Sequence, residues 1–343
     1  MDLLNKNVHK LAGLLILIGL TACSFQNNRV ITAENMEKTN PQKQNIELGK
    51  VSWHRNYKDA LQKSKETGKP VLLFFQEIPG CATCVNYGRN VLSHPLMVDL
   101  IENEFIPLAI YNNRPGSDAE ILKLYNEPSW NNPVARFVDE TGKDIIPKLE
   151  DNYEPVSMLF KIKETLANKN IKEPKYINLL EKDINLLFGY TKTKIYETPC
   201  FWSGETSLAQ QKSVISTEAG FVDSKEVVKI VYDPTISTEK ELDEYANQQG
   251  FYTIESSTGF RTDKDPQYYL KQTAFRYLPL SPAQRTKINQ AIPYGENVEQ
   301  YLSPTQLGWF KNDKLKESAA PDNYTKDIIT TWGKLNESLQ QKQ

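Results

Sequence analysis

The sequence predicts at least two folded domains, of which the first belongs to the α/β class. Its 343 residues exceed the usual length of one domain. Apolar residues at helical spacing predict a helix within Trp53–Pro70, and the apolar run Val71–Phe75 has the length of a strand buried on both faces. A second helical pattern covers residues 85–105. This order of helix, buried strand and helix is typical of an α/β domain.

The composition argues against a nucleic-acid partner. The chain has 41 Lys and Arg against 43 Asp and Glu, a net charge of −2, so it lacks the basic surplus that binds phosphate backbones. Hydrophobic residues make up 39% of the chain and aromatic residues 10%. These fractions are sufficient for the cores of ordinary globular domains.

The N-terminal residues are predicted to be an export signal rather than part of the fold. Two lysines precede the apolar run 11–20, which is shorter than a membrane-spanning helix requires. The run ends in Leu20-Thr21-Ala22-Cys23, and this box resembles the signal of bacterial lipoproteins. The resemblance implies cleavage after a signal peptide of residues 1–22 and lipidation of Cys23.

The lipoprotein resemblance also implies a location in the cell envelope. Acyl chains on Cys23 would anchor the protein in a membrane, and Ser24, in place of aspartate, implies the outer membrane on its periplasmic side. A plain signal peptide, or a helix with a chance cysteine, are the alternatives. Residues 23–48 are polar and without apolar periodicity, which predicts a flexible tether.

The cysteine count indicates a reactive thiol. Of the four cysteines, Cys23 is assigned to lipid, and Cys81, Cys84 and Cys200 remain in an oxidising compartment. A purely structural disulfide framework would use an even number of cysteines. One of these three thiols is therefore expected to be free or to exchange.

Cys81 and Cys84 form a Cys-x-x-Cys motif between the predicted strand and the next helix. Thiols at the start of a helix lie near the positive end of its dipole, which lowers the pKa of the first one and favours thiolate exchange. We therefore expect a redox-active Cys81–Cys84 disulfide and no metal. There are two alternatives: the pair could be half of a zinc site completed by His54 or His94, or it could be a static disulfide. His94 itself is interpreted as a helix-end or surface residue.

The order of elements resembles the thioredoxin fold over residues 49–168. Asn132-Pro133 precedes the strand-like segment 134–139, and the resemblance implies that Pro133 is a cis-proline facing the Cys-x-x-Cys motif. The motif Gly-Cys-Ala-Thr-Cys at residues 80–84 departs from the Trp-Cys-Gly-Pro-Cys familiar in thioredoxins. The redox potential of that family is therefore not transferred to this chain.

Three further segments complete the predicted domain organisation. Residues 169–190 are a helical linker that Pro174 is expected to break. A second domain covers residues 191–310. Residues 311–343 form a tail with a solvated helix, in which two isoleucines and Trp332 lie near one face. The pattern leaves open whether this tail packs on the second domain or contacts a partner.

Cys200 alone is compatible with a packed core thiol or with a nucleophile. Its segment, Cys-Phe-Trp-Ser-Gly, resembles the Gly-Cys-Phe-Trp-Gly motif of type A peptide methionine sulfoxide reductases. Three more stretches resemble that family in the same order, and they begin at Glu226, Asp263 and Tyr277. The resemblance implies a ferredoxin-like α+β fold for residues 191–310.

The resemblance assigns roles to the residues that begin the motif. Cys200 matches the nucleophile that attacks the sulfoxide sulfur, and Phe201 and Trp202 match the aromatic residues that hold the substrate methyl group. Burial of a methyl group against aromatic rings is favourable. The family has glycine where this chain has Pro199.

The polar members of the set follow later in the chain. Glu226 matches the carboxyl group that donates a proton to the sulfoxide oxygen, and Asp263 and Tyr268 match the pair that binds and polarises that oxygen. The family's His-Ala-Glu is Ser224-Lys225-Glu226 here. The segment before it is too short for the family's Gly-rich loop and its substrate-binding tyrosine.

Together these motifs predict an envelope oxidoreductase that reduces methionine-S-sulfoxide in proteins at Cys200. No cysteine follows Cys200, so Cys81 and Cys84 are expected to recycle it in cis, without a cofactor. The expected partners are oxidised envelope proteins and a membrane electron donor. The alternatives are a general periplasmic disulfide reductase or isomerase, whose degenerate second domain is a binding module, and a structural lipoprotein.

Overall fold

Two β-sheets organise the residues that this computed structural model describes, 38–254 and 258–342. The first sheet has strands β1 (Val71–Gln76), β2 (Ile106–Tyr111) and β3 (Val134–Val138). The second has strands β4 (Lys192–Glu197), β5 (Val214–Val222), β6 (Lys225–Tyr232), β7 (Tyr252–Ile254) and β8 (Arg261–Thr262). The predicted signal peptide, the lipidated Cys23 and the tether up to residue 37 lie outside the described residues.

The described residues also form α-helices. They are α1 (Tyr57–Thr67), α2 (Ala82–Asn90), α3 (Pro95–Glu104), α4 (Ser117–Leu124), α5 (Pro155–Asn168), α6 (Tyr176–Leu187), α7 (Phe201–Leu208), α8 (Glu239–Gln248), α9 (Tyr268–Lys271), α10 (Pro282–Ala291), α11 (Pro304–Phe310), α12 (Leu315–Ser318) and α13 (Ile328–Gln341). Within the described ranges, none of these helices has the combined length and hydropathy needed to cross a bilayer.

Strand β1 is the centre of the first sheet, whose order is β2-β1-β3. It pairs parallel with β2 and antiparallel with β3. All six of its residues are buried, because alternate side chains enter two different cores. Leu72 and Phe74 pack with residues of α2, α3, α5 and α6, whereas Leu73 and Phe75 pack with residues of α1 and α4. The prediction of a strand buried on both faces is therefore correct.

The helix boundaries of this half differ from the prediction where capping residues intervene. Helix α1 begins at Tyr57, since the Asn56 side chain accepts a hydrogen bond from a backbone N–H of its first turn, and it ends at Gly68, which has a φ of 74°. The single helix predicted over residues 85–105 is two helices. Proline at position 95 disfavours helical geometry at His94, which is extended, so α3 starts anew at the proline.

The second sheet is entirely antiparallel, with the order β7-β4-β6-β5-β8. A two-residue turn at Asp223 and Ser224 joins β5 to β6, and Asp223 takes the positive φ of 54° that such a turn requires. Residues of α7 and α8 pack on β4, β5 and β6. A separate core of α9, α10, α11 and α13 lies beside them.

Helix α6 lies in the segment predicted as a linker, and it belongs to the cores of both halves. Pro174 lies in the break between α5 and α6, as predicted. Ile177 and Ile184 of α6 pack in the core of the first sheet, and Leu179 packs in the helical core of the second half. The two halves are therefore packed on a shared helix rather than joined by a flexible segment.

Helix α13 joins the halves in the same way, so it is packed rather than solvated, and of the alternatives left open the tail packs on the second half, and on the first as well. Ile328 is buried in the first core, Leu335 and Leu339 are buried in the second, and Trp332 packs against both. These four residues form one apolar stripe, since their spacings of four, three and four repeat the helical period. Ile329, outside the stripe, is 53% exposed.

Candidate active sites

The first candidate site is the Cys81–Cys84 pair at the start of α2. Cys81 is the residue before the helix and is exposed, whereas Cys84 lies in the first turn and is buried. Their sulfur atoms are 3.7 Å apart, well beyond the length of about 2.05 Å of a disulfide bond. The structure therefore shows the dithiol form.

The two thiols have opposite proton affinities. The backbone N–H of Cys84, at the first turn of α2, is the largest cause that lowers the pKa of Cys81. Burial raises the pKa of Cys84 to about 12, and the neighbouring Cys81 adds to this shift. Because thiolates perform disulfide exchange, Cys81 is the attacking sulfur, and Cys84 remains a protonated thiol during this attack.

A cis peptide bond lies against the buried thiol. The Asn132–Pro133 bond is cis, the geometry predicted for Pro133. The Cys84 thiol donates a hydrogen bond to Asn132 Oδ1 over 2.8 Å. Strand β3, which follows the proline, pairs with β1, which precedes the cysteines, and this pairing brings the two segments together. Asn132 itself carries no sequence signal that would have identified it.

Part of the predicted tether belongs to this site. Glu47 and Leu48 lie in a short 3₁₀ turn and are buried, and Glu47 Oε1 accepts a hydrogen bond from the Gly80 N–H over 2.7 Å. Gln76 Nε2 donates to the backbone oxygens of Glu47 and Cys84. The tether predicted over residues 23–48 therefore ends earlier, since this polar-looking turn supports the loop before the cysteines.

One group of three residues in the described ranges has ligand atoms arranged for a metal ion, and it consists of Glu77, Cys81 and Cys84. The histidines that the sequence offered as zinc partners are not members. Both are buried, and burial lowers the pKa of each to about 4. His94 is the residue before α3, so its prediction as a helix-end residue is correct, but it is not a surface residue.

The second candidate site is built around Cys200, the residue before α7. Cys200 is partly exposed. Glu226, on the neighbouring strand β6, accepts a hydrogen bond from the Phe201 N–H to its Oε2 over 3.0 Å. This bond places the Glu226 carboxyl group, which was identified from the sequence, at the start of α7 and beside Phe201, the residue that follows Cys200.

An aromatic stack includes two residues of the first turn of α7. Trp202 stacks on Tyr268 with ring centroids 4.1 Å apart, and on Phe201 at 5.5 Å. The Trp202 Nε1–H donates to Asp263 Oδ2 over 3.2 Å. The structure therefore brings Trp202, Asp263 and Tyr268 together, with the Asp263 carboxylate orienting the indole, and Phe201 is buried in the core.

Glu205 holds this stack in place and has no counterpart in the sequence-based predictions. It is fully buried, and its two carboxylate oxygens accept hydrogen bonds from Ala219 N–H, Gln267 N–H and Gln267 Nε2. Burial raises its pKa to about 8. Gln267 has a φ of 56°, so Glu205 fixes an unfavourable backbone conformation directly before Tyr268.

A cavity of about 530 Å³ opens beside Cys200. Its lining residues all lie between Pro199 and Tyr294, and they include Tyr269. Burial raises the pKa of Tyr269, and the neighbouring Cys200 adds to this shift. Tyr269 and Tyr294 were not predicted, because nothing in the local sequence links them to the cysteine.

Comparisons with known proteins identify the first half. Residues 52–140 match the thioredoxin-like family. Over 116 residues the chain is 25% identical to the thioredoxin-related protein DsbJ of Chlamydia pneumoniae, a match that covers 33% of each chain. The solved structure of a DsbH oxidoreductase is similar at a TM-score of 0.30 and 21% identity, over 39% of this chain and 94% of that one.

The family match decides the class of one domain. The chain contains a thioredoxin-like domain, so the thioredoxin part of the fold prediction is confirmed. It spans about a third of the length of the curated relative that it matches. The assignment of the second half to the methionine sulfoxide reductases stays a prediction.

Proposed function

We propose that this chain is a thiol–disulfide oxidoreductase of the cell envelope that acts through Cys81 and Cys84. The observation that carries the proposal is an exposed Cys81 at the start of α2, 3.7 Å from a buried Cys84 beside the Asn132–Pro133 cis bond. The thioredoxin-like match and the resemblance to DsbJ support the same class of chemistry.

The steps follow from the difference between the two thiols. The Cys81 thiolate attacks one sulfur of a client disulfide, which forms a mixed disulfide and releases the other client sulfur as a thiolate. Cys84 then loses its proton and attacks the Cys81 sulfur. This second step forms the Cys81–Cys84 disulfide and releases the reduced client. A membrane dithiol donor would return the pair to the dithiol form.

Trapping the mixed disulfide tests this proposal. In Cys84→Ser the first step proceeds and the second cannot, so the full chain should accumulate a covalent complex with a disulfide-containing client protein on a non-reducing gel. Cys81→Ser should form no complex, and Cys200→Ser should behave as the unmodified chain. Equal complex formation by Cys81→Ser and Cys84→Ser would refute the assignment of Cys81 as the attacking thiol.

The envelope location of this proposal rests on residues outside the described ranges. The predicted signal peptide at 1–22 and the predicted lipid site at Cys23 would anchor the protein on the periplasmic face of the outer membrane. In cells that express Cys23→Ser, the protein should move from the membrane fraction to the soluble periplasm, as membrane fractionation would show. Retention in the membrane fraction would contradict lipid anchoring.

We propose a second activity, the reduction of methionine-S-sulfoxide in proteins at Cys200. Two contacts support it: Glu226 accepts a hydrogen bond at the start of α7, and Trp202 stacks on Tyr268. Cys200 attacks the sulfoxide sulfur while Glu226 supplies a proton to the oxygen. The thioether leaves as methionine, and the oxygen stays on Cys200 as a sulfenic acid. By the family resemblance, the Trp202 ring would hold the substrate methyl group.

An assay with dithiothreitol as reductant isolates this second activity, because the small dithiol replaces any protein partner. The full chain should convert methionine-S-sulfoxide in a peptide to methionine over several turnovers, and Cys200→Ser should not. Cys84→Ser is the matched control and should retain the activity. If no methionine forms while the dithiol pair still exchanges disulfides, the second half is a degenerate module that binds oxidised or methionine-rich segments.

Recycling of Cys200 by the dithiol pair connects the two activities. The Cys200 sulfenic acid would condense with the Cys81 thiol with loss of water, and Cys84 would then release Cys200 as a thiol. The halves share α6 and α13 in their cores, and the cavity at Cys200 is lined by second-half residues. Recycling within one chain and exchange between two chains would both complete this cycle.

A mixing experiment distinguishes the two routes. The Cys81→Ser and Cys200→Ser chains should each be inactive in sulfoxide reduction driven by a physiological electron donor. An equimolar mixture should regain activity if the exchange occurs between chains. Restored turnover that rises with the square of total protein concentration would establish the intermolecular route. A mixture that stays inactive while the unmodified chain turns over would establish recycling in cis.

A further inference from the structure

We propose that Glu77, Cys81 and Cys84 form a Zn²⁺ site in the dithiol form of the protein. Each residue offers one ligand atom, and the three atoms all lie within 4.8 Å of one another. Two thiolates and one carboxylate are ligands that Zn²⁺ accepts. Zn²⁺ binding uses the same two thiols as the exchange chemistry proposed above but goes beyond it, since it needs neither a client disulfide nor an electron donor.

The distance between the sulfur atoms already fits one tetrahedral ion. Zn–S bonds of about 2.3 Å at the tetrahedral angle place two thiolate sulfurs about 3.8 Å apart. The Cys81 and Cys84 sulfurs are 3.7 Å apart. Both can therefore bind one ion without a change in the backbone of α2.

Glu77 supplies a third ligand because the loop before the cysteines folds back onto α2. Gly80 permits this fold, since a Cβ at this position would lie 2.5 Å from the Glu77 carbonyl oxygen and 2.6 Å from the Cys84 Cβ. The Gly80 N–H is also tied to the Glu47 carboxylate. The same loop carries the half-buried Glu77 side chain towards the sulfurs.

The Glu77 carboxylate has no competing partner in the described part of the chain. Among residues 38–254 and 258–342, no side-chain hydrogen bond or ion pair involves it. A half-buried carboxylate next to two thiols and without a cation is electrostatically unfavourable once a thiolate forms. A divalent cation at this position would remove that repulsion.

The burial of the three ligands indicates how the ion is reached. Cys84 is buried, Glu77 is half-buried and Cys81 is exposed, so the ion would bind at the protein surface with a fourth position open to water. Binding displaces one proton from each thiol and replaces the hydrogen bond from Cys84 to Asn132. The disulfide form has no thiolate to offer, so Zn²⁺ would bind the dithiol form selectively and shield it from oxidation.

Competition with a chromophoric zinc chelator tests the site on the full chain, in a Cys200→Ser background that removes the third thiol. The dithiol form should bind one Zn²⁺ per chain, and the disulfide form should bind none. Glu77→Gln should weaken binding by roughly 10-fold or more, the size of effect seen when zinc-site support is lost. The exposed Glu120 provides the control, and Glu120→Gln should bind as the parent does. Co²⁺ in place of Zn²⁺ should give the visible bands of a tetrahedral thiolate site.

Two results would overturn the proposal. Equal Zn²⁺ affinity of the dithiol and disulfide forms would show that the thiols are not ligands. Equal affinity of Glu77→Gln and the parent would show that the carboxylate is not one. Far-UV circular dichroism establishes that each variant is folded. Cys81→Ser provides a second test that leaves the core intact, because Cys81 is exposed, and it should lose Zn²⁺ binding.

Discussion

The Cys84 thiol and the Asn132 side chain are joined by a hydrogen bond of 2.8 Å, in which the thiol is the donor. These residues are 48 positions apart in the chain. The bond exists only in the dithiol form, because a disulfide sulfur has no proton to donate. Asn132 therefore stabilises the reduced state relative to the oxidised one, and this difference can be measured.

We expect Asn132→Ala to lower the reduction potential of the Cys81–Cys84 couple by roughly 20 mV. The loss of a buried hydrogen bond costs about 1 kcal/mol, and for a two-electron couple 30 mV corresponds to about 1.4 kcal/mol. Equilibration with glutathione buffers measures the potential. Asn168→Ala, at an exposed asparagine, should leave it unchanged. An unchanged potential in Asn132→Ala would show that the bond has no net effect on the couple.

Asp183 makes stability depend on pH. Burial raises its pKa to about 7, so between pH 4 and pH 7 the folded chain holds a proton that the unfolded chain has released. The contribution of Asp183 to the free energy of unfolding therefore falls as pH rises through this window, by up to about 1.4 kcal/mol per pH unit. His54 and His94, whose pKa values are lowered to about 4, change the stability in the opposite direction. Their effect cancels when an Asp183 variant is compared with the parent, because both chains contain these histidines.

Urea unfolding of Asp183→Asn and the parent, at several pH values, isolates this effect. The amide is uncharged throughout, so the difference in unfolding free energy between the two chains should grow in favour of Asp183→Asn from pH 4 to pH 7. Asp313→Asn, at an exposed aspartate, should give a curve parallel to the parent. A parallel curve for Asp183→Asn as well would contradict the raised pKa.

Glu205→Gln should destabilise the second half and impair the Cys200 site. The Glu205 carboxyl group accepts three hydrogen bonds from N–H groups, and an amide places an NH₂ group against one of these donors. An unsatisfied buried polar group costs about 1–3 kcal/mol. Urea unfolding measures the loss, with Glu244→Gln at an exposed glutamate as control. Sulfoxide reduction should fall as well, because Gln267 no longer holds Tyr268 against Trp202.

Glu226→Gln tests the proton donor of the second proposed activity. Removal of a general acid typically lowers the rate by about 10² to 10⁴-fold, so kcat for sulfoxide reduction should fall by that factor. An amide still accepts the hydrogen bond from the Phe201 N–H, so KM should change little. Glu317→Gln, at an exposed site, provides the control. A kcat equal to that of the parent would exclude Glu226 as the proton source.

Several elements could be predicted from the sequence because their signals are local. The run Val71–Phe75 identified a strand, and Gly68 identified the end of α1, since apolar runs and glycine caps act over a few residues. The prediction of a single long helix after the cysteines was wrong, because the apolar period in the sequence continued past Pro95, where a second helix starts. The prediction that the tail helix is solvated did not hold, because the apolar stripe of α13 packs into two cores whose other residues are distant in the sequence.

By itself, the sequence determined which residues carry reactive groups. The spacing of Cys81 and Cys84, and the residues beside Cys200, are local patterns. The tertiary structure alone decided which side chains meet them: Asn132 at Cys84, Glu77 at the sulfur pair, and Glu205 at Gln267, 62 residues away. Contacts of this kind depend on how sheets and loops pack, and a single buried carboxylate or amide leaves no periodic signal in the chain.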